Sequence, residues 1–172
     1  MMDKRLEKAI NQQINVELAA SYTYLAMAAY FDRQHLDGFG AFMQRQSDEE
    51  QVHAHRLFRY LLDRGAEVSL DAIPKPPAKF GSVEEVFRKS LEQEKANTKA
   101  IYELYDIARE IKDYATLAHL QWFLDEQVEE EKLMNDILGR LELAGGDKSA
   151  MLILDVETSK RGLGTGAKPG AK

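Results

Sequence analysis

The sequence predicts an all-α fold, a four-helix bundle with one long crossover connection and a short fifth helix at the C-terminal end. Three observations predict it. Apolar residues recur at spacings of three and four through four long segments. The connections between these segments are short, long and short, as a bundle with one crossover requires. The chain has 172 residues but only 4 prolines, and three of them lie in the long connection.

The first two helices are predicted over about 6–35 and 38–64. At the break between them, Asp37 is the candidate residue whose side chain caps the second helix. Gly65 follows the second helix at the position where a left-handed residue commonly ends a helix. Because the break is short, we expect the two helices to pack against each other in opposite directions.

The segment 66–81 is predicted to be an extended crossover, because it holds Pro74, Pro76 and Pro77. The third helix is predicted to begin at Ser82 and to continue to about residue 111. Ser82 and Glu85 have the spacing of a capping box, in which each side chain satisfies a backbone N–H near the start of the helix.

The fourth helix is predicted to follow a short turn near Lys112-Asp113 and to end near Ala144, before two glycines. A shorter amphipathic segment after Asp147 predicts the fifth helix. We therefore expect one domain over residues 1–160 and a flexible Gly/Lys-rich tail over residues 161–172.

Composition excludes several classes of site. The chain has no cysteine, so disulfides, thiolate zinc sites and iron–sulfur clusters are excluded, and a metal would need carboxylate, imidazole, carbonyl or water ligands. The net charge of -6 argues against nucleic acid as a partner. No stretch of about 18 apolar residues predicts a membrane span. We expect a cytoplasmic protein with no membrane partner.

The central observation is that each of the four apolar stripes carries a glutamate near its middle: Glu17, Glu50, Glu94 and Glu130. An ionised carboxylate is not left unpaired in a helical core, because its desolvation costs several kcal/mol. An antiparallel bundle brings these glutamates and His53 to one level, where a pair of divalent cations would neutralise four carboxylates. Glu50 and His53 also lie one turn apart on one helix face. The pattern predicts a dinuclear metal site.

On the fourth helix, Gln127-x-x-Glu130 occupies the place that Glu50-x-x-His53 has on the second. With these motifs the chain resembles the non-haem ferritins of bacteria and archaea, over about residues 3–160. The segment 120–131 is similar to the fourth-helix motif of that family, and Glu49-Glu50-x-x-His53 to its second-helix motif.

The resemblance implies a role for each ligand of a pair of irons. Glu17 and His53 would hold the first iron, Glu50 would bridge the two, and Glu94 and Glu130 would hold the second. All five would be catalytic in the oxidation of Fe(II).

Further positions carry weaker implications. Gln127 would lie beside the site, and Tyr24 matches a tyrosine associated with electron transfer, although a core tyrosine with a satisfied hydroxyl is the simpler alternative. A third iron position facing the cavity is matched by Glu49, Glu126, Glu129 and Glu130. Glu126 and Glu129 also fit a solvated helix face.

The resemblance implies a ferroxidase that oxidises Fe(II) with dioxygen or peroxide and stores it as a ferric mineral. The chains would self-associate into a homo-oligomeric cage of about 24 subunits. Haem is not expected, because Gln51 stands where haem-binding bacterioferritins have methionine.

Two alternatives stay open. One is a small di-metal peroxidase or oxidase on the same bundle, without storage. The other is a structural or binding bundle in which the buried glutamates only specify the packing.

Overall fold

The computed structural model describes residues 2–161 and contains five helices in this range, which confirms the predicted all-α architecture. The predicted tail, 161–172, lies outside the described residues apart from Arg161. None of the helices within this range combines the length and the apolar character needed to cross a bilayer. The helices are α1 (Lys4–Arg33), α2 (Asp37–Asp63), α3 (Val83–Glu110), α4 (Tyr114–Ala144) and α5 (Lys148–Ser159).

The four long helices form two pairs. α1 packs mainly against α2, and α3 packs mainly against α4, with α1 also contacting α3. The short turns within each pair reverse the chain, and residues 64–82 carry it across from one pair to the other. α5 packs against α2 and, to a lesser extent, α4.

Several helix ends follow from local sequence signals. The Ser82 hydroxyl accepts a hydrogen bond from the Glu85 N–H at 3.1 Å, as predicted, but the Glu85 carboxylate accepts from the N–H of Gly81 at 2.8 Å rather than from that of Ser82. Gly65, two residues after the end of α2, and Gly145, directly after α4, have positive φ angles of 66° and 55°, as the helix-ending role requires.

The start of α2 differs from the prediction. Asp37 is the first helical residue and does not cap the helix; the cap position is held by Leu36, whose side chain makes no hydrogen bond. The Asp155 carboxylate of α5 instead accepts from the N–H groups of Gly38 at 3.1 Å and Phe39 at 2.7 Å. A Cβ atom on Gly38 would lie 2.0 Å from the Asp155 carbonyl oxygen, so glycine permits this contact.

The crossover is extended, as predicted, and is bound to α1 by two asparagines. Asn11 donates to the carbonyl of Glu67 at 2.9 Å and accepts from the N–H of Ser69 at 2.7 Å. One turn later, Asn15 donates to the carbonyl of Ser69 at 3.2 Å and accepts from the N–H of Asp71 at 2.8 Å. These bonds satisfy backbone groups that an extended segment leaves without partners.

The core consists of two apolar clusters, one toward each end of the bundle. Aromatic rings of Phe31, Phe39 and Phe87 form the centre of one, with centroid distances of 5.3 to 5.8 Å. Along each of the four long helices, a buried glutamate falls between a member of one cluster and a member of the other, which places a polar layer between two apolar ones. The four glutamates are Glu17, Glu50, Glu94 and Glu130.

Candidate metal centre

Three side chains from α1 and α2 converge in the polar layer. One potential ligand atom from each of Glu17, Glu50 and His53 lies within 4.8 Å of the other two. Their exposed fractions are 0%, 3% and 4%, so the group is closed to bulk water. Two carboxylates and an imidazole in this arrangement form a donor set suited to a divalent transition metal.

Several polar atoms in this layer are buried and have no hydrogen-bond partner among residues 2–161. They are Glu50 Oε2, His53 Nδ1 and Glu130 Oε2. His53 Nδ1 lies 3.3 Å from Glu50 Oε2. Buried polar atoms without partners are rare in folded proteins because each one carries the full desolvation cost. One bound cation would satisfy the atoms of Glu50 and His53, and a second would satisfy that of Glu130, so the residues present fit a pair of metal ions.

Glu94 of α3 and Glu130 of α4 extend this group, although they lie outside the 4.8 Å cluster. Both are buried, with 1% and 4% exposed. The Tyr24 hydroxyl donates to Glu94 Oε1, and Gln127 Nε2 lies 3.3 Å from Glu94 Oε2. The charges of Glu94, Glu17 and Glu130 all act on Glu50, which links the carboxylates of the four helices electrostatically.

The electrostatics of the layer favour protons or cations over bare carboxylates. Desolvation raises the pKa of Glu50, and the charges of Glu94 and Glu17 raise it further. Desolvation likewise raises the pKa of Glu130, and that of Glu94 to about 7. The pKa of His53 is lowered, chiefly by burial, which favours the neutral imidazole that a metal requires.

A family model described as a ferritin-like domain matches residues 7–144. The chain belongs to the ferritin-like family. A bacterial non-heme ferritin of Staphylococcus aureus is 41% identical over 161 residues, which cover 94% of this chain and 97% of the relative. A bacterial non-heme ferritin of Staphylococcus epidermidis is also 41% identical over 161 residues, with the same shares of the two chains covered. An open-pore ferritin of the archaeon Archaeoglobus fulgidus matches with a TM-score of 0.92 and 42% identity, covering 94% of this chain and 100% of that one.

In this ferritin-like chain, a second acidic group lies next to Glu130. Glu126 is buried, and its pKa is raised by desolvation and then by the charges of Glu129 and Glu49. Glu49 is half-buried and accepts a hydrogen bond from Gln46 Nε2 at 2.7 Å, whereas Glu129 is exposed. The charges of all three also raise the pKa of Glu130, so the four carboxylates form one electrostatically linked group.

Tyr24 of the ferritin-like bundle is fully buried and contacts Glu94 in the polar layer. Its hydroxyl donates to Glu94, and its pKa is raised by desolvation and by the charges of Glu94 and Glu50. Trp122 packs its ring against the edge of His53, with centroids 5.3 Å apart and planes at 82°. The tyrosine therefore satisfies a carboxylate oxygen, and the tryptophan fixes an imidazole.

Two polar residues of this layer were missed by the sequence analysis. Gln13 Nε2 donates to Glu17 Oε1 at 2.8 Å, and Asn97 Nδ2 donates to Glu17 Oε2 at 3.0 Å. Both amides are buried, with 2% and 3% exposed. A signal did exist: Gln13 precedes Glu17 by four residues and Asn97 follows Glu94 by three, so each shares a helix face with a core glutamate.

Proposed function

We propose that this chain is an iron-storing ferroxidase, which binds Fe(II) in the polar layer, oxidises it to Fe(III) and passes the product to a mineral inside an oligomeric cage. The observation that carries this proposal is the buried group of Glu17, Glu50 and His53, whose partnerless atoms fit a cation. The relatives named non-heme ferritins support iron as that cation.

The proposed roles are those that the resemblance to non-haem ferritins implies. Glu17 and His53 hold one Fe(II), and Glu94 and Glu130 hold the other. Glu50 bridges the pair, a role supported by its interactions with both Glu17 and Glu94. A pair of divalent ions balances the four carboxylates, and this balance offsets the desolvation that raises their pKa values.

The chemistry requires little from the protein beyond holding the two irons together. Each Fe(II) gives up one electron to become Fe(III), and dioxygen takes both electrons and two protons to become hydrogen peroxide. Peroxide serves as the oxidant in the same way, taking two electrons and two protons to become two water molecules. A paired site supplies both electrons at one place, which a single iron cannot do.

The acidic group beside Glu130 supports a path for the product. Glu130 belongs both to the paired site and to the group formed with Glu49, Glu126 and Glu129. The exposure of this group increases from Glu130 through Glu49 to Glu129. We propose that Fe(III) leaves along it, with the third iron position as a stage on the way. Gln127 contacts Glu94 and positions it without needing to bind iron itself.

Assembly into a cage is supported by apolar side chains on the outside of the bundle. Tyr22 and Leu25 of α1 are 47% and 42% exposed, and Val52 of α2 is 55% exposed. Association between copies would remove such residues from water. A location in the cytoplasm and the absence of haem stay predictions from the sequence.

The alternative of a di-metal peroxidase or oxidase without storage uses the same residues. The comparisons favour storage, because the matched relatives are named ferritins over nearly their full length.

Dioxygen uptake tests the proposal. About two Fe(II) per subunit are added to metal-free protein, a ratio that fills a paired site. We expect rapid uptake that saturates near this ratio in the wild type, and uptake close to that of protein-free buffer in Glu50→Ala. Asp48→Ala, which removes an exposed carboxylate from the same helix, is the control and should behave as the wild type. An unchanged rate in Glu50→Ala would overturn the assignment.

A further inference from the structure

Asn97 is the point at which three helices meet beside the metal centre. It lies on α3, and its Nδ2 donates to Glu17 Oε2 of α1 at 3.0 Å. Its Oδ1 accepts from Gln13 Nε2, and the same Nε2 donates to Glu17 Oε1 at 2.8 Å. Both oxygens of the Glu17 carboxylate are therefore held by amide N–H groups, one from its own helix and one from α3.

The direction of these hydrogen bonds is fixed by the carboxylate. The form of Glu17 that binds a metal is the ionised carboxylate, which can only accept, so the nitrogen of each amide must face it. If the Asn97 amide were turned over, its oxygen would face Glu17 Oε2 and its nitrogen would face the donor of Gln13. Both contacts would be repulsive. The observed orientation is thus the one that satisfies all the groups, and Glu17 is held in a single arrangement.

The network continues from Asn97 to the other half of the centre. Asn97 Nδ2 also lies 3.5 Å from Gln127 Oε1 on α4. Because the Gln127 oxygen faces Asn97, its Nε2 faces the opposite way, toward Glu94 Oε2 at 3.3 Å and Thr98 Oγ1 at 3.2 Å. One asparagine is therefore connected to a candidate ligand of each iron.

We propose that Asn97 is a positioning residue of the metal centre, which holds the Glu17 carboxylate directly, and the Glu94 carboxylate through Gln127, in the orientation that binds metal. The inference rests on the proposed function in taking a divalent metal as the ligand. A carboxylate that is already oriented loses less conformational freedom when it binds a metal, so this positioning increases the affinity for the metal. Partners behind a metal ligand typically contribute tenfold to a hundredfold in affinity.

The surroundings of Asn97 show what its removal would allow. A surface groove of about 320 Å³ between α1 and α3 is lined by Asn97 and by small side chains such as Ala20 and Ala96. Without the Asn97 amide, Glu17 Oε2 loses its donor, and the carboxylate is no longer held in one orientation. We therefore expect an effect on metal affinity rather than on folding alone.

The test is a titration of metal-free protein with Co(II) under nitrogen, followed by the visible absorption of the bound ion. Asn97→Leu, which keeps the branched shape of the side chain but has no amide, should bind Co(II) roughly tenfold to a hundredfold more weakly than the wild type. Asn11→Leu is the matched control, because Asn11 is a buried asparagine of α1 that binds backbone groups away from the centre. It should keep wild-type affinity. If Asn97→Leu does not fold, the smaller Asn97→Ala provides the same comparison.

Wild-type affinity for Co(II) in a folded Asn97 variant would overturn the inference. An equal loss in Asn11→Leu would also overturn it, since any buried asparagine would then have the same effect. The proposed function fails separately: wild-type protein that binds Co(II) in the expected manner, but does not oxidise Fe(II), would refute the ferroxidase and leave the role of Asn97 supported.

Discussion

Replacing Glu94 with glutamine should change how the stability of the metal-free protein depends on pH. Burial raises the pKa of this carboxyl group from the usual 4.5 to about 7. Between these values the folded chain keeps a proton that the unfolded chain releases, so stability falls as pH rises. The stabilisation is complete below pH 4.5 and is lost as pH passes through 7. At 1.36 kcal/mol for each pKa unit, the loss is about 3 kcal/mol.

Urea unfolding of metal-free protein, followed by circular dichroism at pH 5 and pH 8, measures this effect. We expect Glu94→Gln to be more stable than the wild type by about 3 kcal/mol at pH 8 and by less than about 1 kcal/mol at pH 5. The lowered pKa of His53 makes stability rise with pH, but both proteins contain His53, so this effect cancels in the comparison. Glu92→Gln, at an exposed position on the same helix, is the control. A stability difference that does not change with pH would refute the reasoning.

Three further predictions concern single contacts. Asp155→Ala removes the acceptor for two N–H groups at the start of α2 and should lower the free energy of unfolding by about 1–2 kcal/mol; an unchanged urea midpoint would contradict this. Tyr24→Phe removes a hydrogen bond that lowers the pKa of Glu94, so the pH of half-maximal Co(II) binding should rise, and an unshifted curve would exclude that role. Arg64→Ala removes two hydrogen bonds to Asp113, of 2.8 and 3.0 Å, and should lower the free energy of unfolding, measured by thermal unfolding, by about 1–3 kcal/mol. A loss close to zero would show that water satisfies Asp113 equally well.

The helix ends that could be predicted from the sequence are those set by residues close by in the chain. Gly65 could be placed after α2 because a left-handed residue there favours glycine, and Ser82 could be placed before α3 because its hydroxyl reaches the N–H three residues on. The polar layer was predictable for a different reason. Glutamate at apolar positions of four helices is costly in the absence of a compensating charge, so Glu17 and Glu50 stood out without any three-dimensional information.

The parts that were missed depend on residues distant in sequence. Asp37 has the chemistry of a helix cap, but α2 is capped by Asp155, which approaches only because α5 packs there. No local signal distinguishes these two aspartates. Asn97 and Gln13 are polar residues on faces they share with glutamates. Their roles depend on how closely α1 and α3 approach, which helical periodicity does not determine.

A crystal structure of the metal-loaded protein, with the ions located by anomalous scattering, tests the central claim most directly. We predict a pair of metal ions in each bundle, about 3.5–4 Å apart, with one ion bound by Glu17 and His53, the other by Glu94 and Glu130, and the Glu50 carboxylate between them. A single ion in the layer, or ions found only on the surface, would contradict the account.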